Sequence, residues 1–356
     1  MSDPVCAKLL SLIGTADDVW TLRGLRDQIH EQMEALLSEQ PVEQFYMDLN
    51  RVHDALIKRT IALSEEQMAR MGNGSPPVPY AYLLFGSGGR EEQTLSSDQD
   101  SGLIYGDSDD ETKREEISQY FNVFSKTIVE LLKQVGYPPC EGEVISTNKL
   151  WNQSLSEWKK QLNSWFEDPN WERVRYLLIV ADCRLIYGKE SLLLTLQDHF
   201  YSDMLKNPVI VKHMLNNTMR HKMLLGVFGQ LLKEQYGEDA GSLDVKYGAY
   251  IPMVNAIRLL SIECGLRQTS TLGRIRGLVQ QGKLSQANAD IYSDVFRLFL
   301  KLRLMTTERN EEGFYSNSGK LASRRLTRDM IQELKSGLRI GKKLQRSVYK
   351  QTMGRL

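Results

Sequence analysis

One stretch constrains this chain more than any other: Leu84-Phe85-Gly86-Ser87-Gly88-Gly89-Arg90, continuing to Ser97-Asp98-Gln99-Asp100-Ser101-Gly102-Leu103-Ile104. Two apolar runs of strand length, Tyr80 to Phe85 and Ser101 to Tyr105, flank it and each ends at a glycine. Where the first run stops, glycines without side chains let backbone N–H groups approach an anion, and the Ser87 hydroxyl adds a donor. Asp98 and Asp100 stand two apart at the start of the second run, so the period of a strand puts both carboxylates on one face. Two like charges held side by side require a counter-cation. Mg²⁺ (or Mn²⁺) suits such a place, because it takes oxygen ligands and is commonly shared between carboxylates and substrate phosphates. The spacing therefore predicts a phosphate cradle facing a metal-bound triphosphate, with a flexible turn and polar hairpin as the bland alternative. Other phosphate and metal motifs fail: no GxxxxGK[ST] occurs, Glu91 stands where a dinucleotide fingerprint needs its third glycine, and Leu103 occupies the obligatory glycine position of a calcium loop starting at Asp98.

The rest of the chain bounds what can surround this segment. Its 356 residues predict two or three domains, and 41% hydrophobic content with zero net charge excludes a disordered polyelectrolyte. Neutrality also argues against a nucleic-acid coat protein. No apolar run approaches the ~20 residues a membrane span needs, and the first residues lack a basic-then-apolar leader, so a cytoplasmic location is expected. Cys6, Cys140, Cys183 and Cys264 are too scattered for a zinc site or a disulfide framework, and the five histidines form no metal or nucleophile pattern.

Helical spacing of apolar residues runs through 16–70 and is closed by Gly72, Gly74, Pro76 and Pro77. A helix is expected over 111–135, ended by Gly136, and a third strand over 141–146. Helical patterns follow at 150–165, 171–186, 190–205, 208–235, 250–265, 284–305 and 325–350. The fold class expected is α+β: a helical part to residue 76, a small mixed-sheet core over 77–188 and a helical domain over 189–356. From Gly313 onward eleven Lys and Arg face only Asp329 and Glu333, a net +9 (11 minus 2). Such a tail suits docking on the acidic remainder of the protein, and it leaves a nucleic-acid or polyphosphate contact open.

Gly86-Ser87, Arg90 and Ser97-Asp98-x-Asp100 followed by Leu103-Ile104 resemble the signature of the DNA polymerase β nucleotidyltransferase superfamily. More closely, Pro79 to Tyr105 resembles nucleotidyltransferases often fused to CBS or cyclic-nucleotide-binding sensors, relatives of bacterial protein uridylyltransferases. Asn148 to Trp158, Ala181 to Gly188, and Leu243 to Lys246 with Ile251-Pro252 look like softer, later blocks of the same family. Residues 1–76 are too few for a paired CBS module, so any regulator is expected to act on the helical parts or through a partner.

The resemblance implies metal-dependent transfer of a nucleoside monophosphate from an NTP to a hydroxyl, on a protein by analogy with those relatives, with pyrophosphate leaving. Asp98 and Asp100 would be metal ligands, and the superfamily adds a third carboxylate, here assigned to Glu143, with Glu141 and then Asp182 as alternatives. Gly86 and Ser87 would cradle phosphate. Arg90 would clamp phosphate or else pair with Glu91, Glu92 or the helical domain, while Lys246 and Arg258 are the cations expected from the helical domain. Trp151, Trp158, Trp165 and Trp171 are expected in the core. A non-catalytic Mg-NTP sensor acting through a partner is the rival reading.

Overall fold

The computed structural model describes residues 4–36, 40–204, 208–237, 239–309 and 315–354. The Cys6 side chain, and positions 313, 314, 355 and 356 of the basic tail, lie outside the described residues. The chain divides into two compact units, Met1–Ser164 with Asp182–Phe200, and Trp165–Ala181 with Tyr201–Leu356. No helix among the described residues is long and apolar enough to cross a membrane.

The first unit opens with α1 (Pro4–Gly14), α2 (Val19–Leu36) and the long α3 (Val42–Arg70). Strand β1 (Tyr80–Leu84) runs into a single helical turn, α4 (Gly86–Gly89), and the chain returns along β2 (Ser101–Tyr105). Helix α5 (Glu111–Val135), strand β3 (Asn152–Ser154), helix α6 (Leu155–Glu167), strand β4 (Arg184–Gly188) and helix α8 (Glu190–Met204) complete it, with α7 (Trp171–Val180) assigned to the second unit. The second unit adds α9 (Pro208–Thr218), β5 (Ser242–Asp244), α10 (Ile251–Glu263), α11 (Thr271–Gln280) and α12 (Gln286–Leu304). It ends with β6 (Thr307–Arg309), β7 (Tyr315–Asn317), β8 (Lys320–Ala322) and α13 (Arg328–Met353).

The sheet has the order β3-β2-β1-β4, with β1 antiparallel to both β2 and β4 and β3 parallel to β2. Tyr80 pairs with Tyr105 and Leu84 with Ser101, so the glycine turn and the aspartates meet at one end of the β1–β2 ladder. Every residue of β1 and β2 is buried, which explains why both read as continuous apolar runs rather than alternating ones. Helix α5 begins and ends where its chemistry dictates. The Asp110 carboxylate accepts from the Thr112 and Lys113 amides, Phe121, Phe124, Ile128 and Leu132 form its buried stripe, and Gly136 closes it at φ 110°.

The structure corrects four sequence expectations. Residues 141–146 form a turn, not a strand; the third strand is β3, within a stretch expected to be helical. The expected helix over 171–186 stops at Val180 and gives way to β4, because the apolar residues at 185 and 186 serve a sheet edge. The expected helix over 208–235 ends at Thr218, and an irregular segment containing Gly226 and Gly229 follows. Of the four tryptophans, Trp151, Trp158 and Trp165 are buried, but Trp171 is 54% exposed beneath the Arg220 guanidinium.

Trp158 is fully buried and its indole N–H donates to the Leu103 carbonyl of β2 at 3.0 Å. Replacement by Phe removes that bond and part of the ring volume. Trp158→Phe is expected to destabilise the first unit by about 1–3 kcal/mol, read as a lower midpoint in urea with an unchanged slope.

Candidate active site

Beyond the end of β1 the Phe85 amide donates to the Asp100 carbonyl at 2.9 Å, carrying the pairing one step past the strand. The chain then turns at once, with Gly86 at φ 52°, and the helical turn closes through the Gly89 amide to Phe85 and the Arg90 amide to Gly86. A Cβ on Gly86 would collide with the Asp100 carboxylate, so glycine is favoured there by backbone conformation and required by space. Gly89 is equally constrained: a side chain would drive into the carbonyls of Asp182 and Leu84.

The middle residue of the aspartate pair sets their direction. Gln99 is buried, and its amide nitrogen donates to the carbonyls of Val129 at 3.0 Å and Tyr137 at 2.7 Å. Its neighbours Asp98, exposed, and Asp100, half-buried, take the opposite face, as period 2 predicts. The Gln99 amide donates to Pro138 and the Ser101 amide to Val144, so residues 140–143 are looped out beside Asp100. That loop delivers a group the sequence did not suggest. The Cys140 sulfur and carboxylate oxygens of Asp98 and Asp100 all lie within 4.8 Å of one another. Burial, with the Asp100 carboxylate beside it, pushes the Cys140 thiol up to about 12, so it is a neutral thiol at neutral pH. The two carboxylates offer hard oxygens of the kind Mg²⁺ and Mn²⁺ take, whereas the Cys140 sulfur is a softer donor that those ions favour less.

Two arginines hold this arrangement. Arg184, at the start of β4, forks onto Asp54 of α3 at 2.7 and 2.8 Å and donates to the Gly88 carbonyl at 2.9 Å. Arg90 is buried and binds Glu92 at 2.9 Å and Asp182 at 2.6 Å. Helix α3 also reaches the loop between turn and aspartates. The Gln93 amide donates to Asn50 at 3.2 Å, and His53 Nε2 meets the Thr94 carbonyl at 3.0 Å while Nδ1 lies 2.7 Å from the Tyr137 hydroxyl. A carbonyl partner assigns the proton to Nε2, leaving Nδ1 to accept from Tyr137.

The other expected site residues fall as follows. Glu143 and Glu141 are exposed in the looped-out turn, Glu143 at φ 56°, and neither joins the group within 4.8 Å. The shared strand face argued for them is absent because there is no strand. Asp182 is buried against Arg90. Ser87 lies half-buried on the turn. Lys246, in the second unit, packs its stem against Gly319 with Nζ 5.3 Å from the Tyr247 ring centre, and Arg258 is buried on Leu178 and Asn255. Sequence reasoning missed Cys140, Gln99, Asp54 and His53. Nothing in the sequence singles out the last two, since α3 also buries Asp48, Asn50, Thr60 and Ser64. A cavity of about 420 Å³ lies at the far end of β2, lined by Asp107, Arg114 and Lys160 among others. It contains neither the glycine turn nor the aspartates, so the chemistry and not the volume marks the site.

Residues 27–172 match the family described as Putative nucleotidyltransferase DUF294, and residues 208–352 match the one described as Putative nucleotidyltransferase substrate binding domain. Over these two segments the chain is similar to the nucleotidyltransferase family so described. The glycine turn, Asp98, Asp100 and Cys140 all fall in the nucleotidyltransferase segment, and Lys246, Arg258 and α13 in the substrate-binding segment, apart from the final residue of α13. Asp182 and Arg184, which brace the nucleotidyltransferase turn, lie past the end of its matched segment. No curated protein matches the chain.

Gly86→Ala tests the turn. The added methyl must displace the Asp100 carboxylate, so Mn²⁺ binding measured by paramagnetic relaxation is expected to weaken tenfold or more while the helical circular dichroism is kept.

A second test concerns pH. Burial and then the nearby Arg26 charge lower His53 to about 3, and burial lowers His30 well below its ordinary range. Both depressed values lie below the unfolded pKa of about 6.5, so their contribution is intact above pH 6.5. As pH falls from 6.5 towards 3 the unfolded chain takes up protons that the folded one refuses, and stability drops. Between pH 6.5 and 5 the urea midpoint is expected to fall in the wild type and to fall less in His53→Asn.

Proposed function

We propose that the chain transfers a nucleoside monophosphate from a metal-bound NTP to a hydroxyl on a protein, releasing pyrophosphate. The observation that carries this reading is the meeting of Gly86 and Asp100 at one end of the β1–β2 ladder, with Asp98 on the same face. A glycine turn lies directly against the Asp100 carboxylate, and in this reading the turn is the anion-binding element. In the proposal, backbone amides of the turn and the Ser87 hydroxyl hold phosphate, and Asp98 and Asp100 hold Mg²⁺ or Mn²⁺. When bound there, the cation would supply neutralisation of the triphosphate and of the departing pyrophosphate.

The remaining roles belong to this chain's own groups. Glu143, one residue from the Val144 contact with Ser101, serves as third carboxylate and takes the acceptor proton. The acceptor oxygen bonds to the α-phosphorus, and the bond from that phosphorus to the bridging oxygen breaks, its electron pair leaving with pyrophosphate. Lys246 contributes a cation for phosphate on the substrate that its segment holds. Arg90 enters as a positioning residue, since Glu92 and Asp182 occupy its guanidinium.

One observation favours a second reading, a non-catalytic Mg-NTP sensor acting through a partner protein. The third group within 4.8 Å is a cysteine thiol and not a carboxylate, which suits holding a nucleotide better than activating a hydroxyl.

The test is incubation of the full chain with each α-³²P-labelled NTP, Mg²⁺ or Mn²⁺ and a cell extract, scoring label on protein and, by a separate enzymatic assay, the unlabelled pyrophosphate released. Asp98→Asn with Asp100→Asn is expected to abolish both nucleotide binding and transfer. Glu143→Gln is expected to leave binding within a few-fold and cut turnover by about 10² or more. Metal-dependent binding without either product would replace the transferase by the sensor, and wild-type affinity in the double Asn variant would sink both.

A further inference from the structure

Helix α13 is the most polar-faced amphipathic element of the second unit, and its two faces are cleanly divided. Leu334, Leu338, Leu344 and Val348 are buried with Gly337 and Gly341 between them. On the other face, at 100° per residue, Arg328, Lys335, Arg339, Lys343, Arg346 and Lys350 fall within an arc of about 80° and span about 33 Å of helix. All are exposed except Lys335, which is half-buried. None has an ion pair among the described residues, and the helix's acids, Asp329 and Glu333, lie about 80° and 120° round from Arg339. Six unneutralised cations in one line repel one another, so the stripe is a cost to the free protein that a partner must offset.

A second observation narrows the partner. The irregular segment after α9 is tied to α13: Gln345 Nε2 donates to the His221 carbonyl at 2.9 Å, and Met223 packs over Gly341. The segment then carries Val227 and Phe228 at 91% and 94% exposure beside the stripe, where a methyl on Gly229 would stand 3.6 Å from Arg339 Nη2. An aromatic ring held in water next to a line of cations is the pairing by which single-stranded nucleic acid is gripped, phosphates on the cations and a base stacked on the ring. A folded acidic protein fits less well, since protein interfaces gather apolar area at their centre and are depleted in lysine. A duplex offers no unpaired base to the ring.

We infer that α13 together with Phe228 is a docking face for a single-stranded nucleic acid, bound through its phosphodiester backbone without base-specific readout. The inference stands apart from the proposed transfer reaction, because its test reads binding alone.

The experiment is fluorescence anisotropy of a fluorescein-labelled 20-nucleotide oligouridylate titrated with the full chain between 50 and 200 mM KCl. The logarithm of the binding constant is expected to fall with the logarithm of salt at a slope of about −3 to −4, as for roughly five phosphates on a single strand. Arg339→Glu with Lys343→Glu is expected to weaken binding 30-fold or more, and Phe228→Ala about 5-fold or more at an unchanged salt slope, both with wild-type thermal melts. If the charge reversal melts early, Arg339→Gln with Lys343→Gln replaces it and is expected to lose at least 10-fold and flatten the slope. Reversal of the exposed Lys113 on α5 serves as control and is expected to change nothing. Four results overturn the inference: no binding at 50 mM KCl, equal binding of a duplex, equal binding of inorganic polyphosphate with Phe228→Ala silent, or stripe variants that lose only phosphatidylserine vesicles.

Discussion

The hydrogen bond from the Phe85 amide to the Asp100 carbonyl holds the candidate site together. It adds one rung past the last residue of β1, so the chain must turn within a single residue to clear β2. A left-handed residue makes that turn at Gly86, and only a residue without Cβ fits against the carboxylate it meets. The same rung fixes which way Asp100 faces, and the buried Gln99 then fixes Asp98. One backbone bond thus determines that a glycine turn and a pair of acids share a corner of the sheet.

The corner is held from outside by charge. Arg184 links α3 to the turn through Asp54 and the Gly88 carbonyl, and Arg90 links the turn to the lead into β4 through Asp182. Buried ion pairs contribute little net stability against apolar replacements, but removing one partner leaves an uncompensated charge. Their value here is orientation: the turn cannot slide relative to α3 or β4 without stranding a guanidinium. The N-terminal helices are consequently part of the sheet's own unit, through the buried Asn50 and His53 and the half-buried Asp54 of α3.

What was legible in the sequence was local. The strands around Gly86 and Asp100, helix α5 with its Asp110 and Gly136 ends, and the resemblance carried by Ser97 to Ile104 depend on residues adjacent in the chain. The third strand was not, because Val144 and Ile145 are buried in a turn and their apolar character reads the same either way. Nor was β4, whose residues continue a helical pattern until the cap at Ala181 breaks it. Cys140 joined the aspartates through a looped-out register between two stretches forty residues apart, and Arg90 found Asp182 across the fold; neither has a spacing signature.

The path of the chain between the two units gives the family boundaries a practical meaning. The segment Trp165–Ala181 belongs to the second unit, yet it lies between β3 and β4 of the first. A fragment cut at residue 172, where the first family match ends, carries β1 without its β4 neighbour and Arg90 without Asp182. Such a fragment would expose a fully apolar strand edge, the template on which chains add to one another. During synthesis the same order holds: the ribosome must deliver a piece of one unit before it can finish the sheet of the other. The smallest recombinant piece retaining an intact β1 must therefore extend through Gly188, and aggregation of shorter ones would report on topology, not on activity.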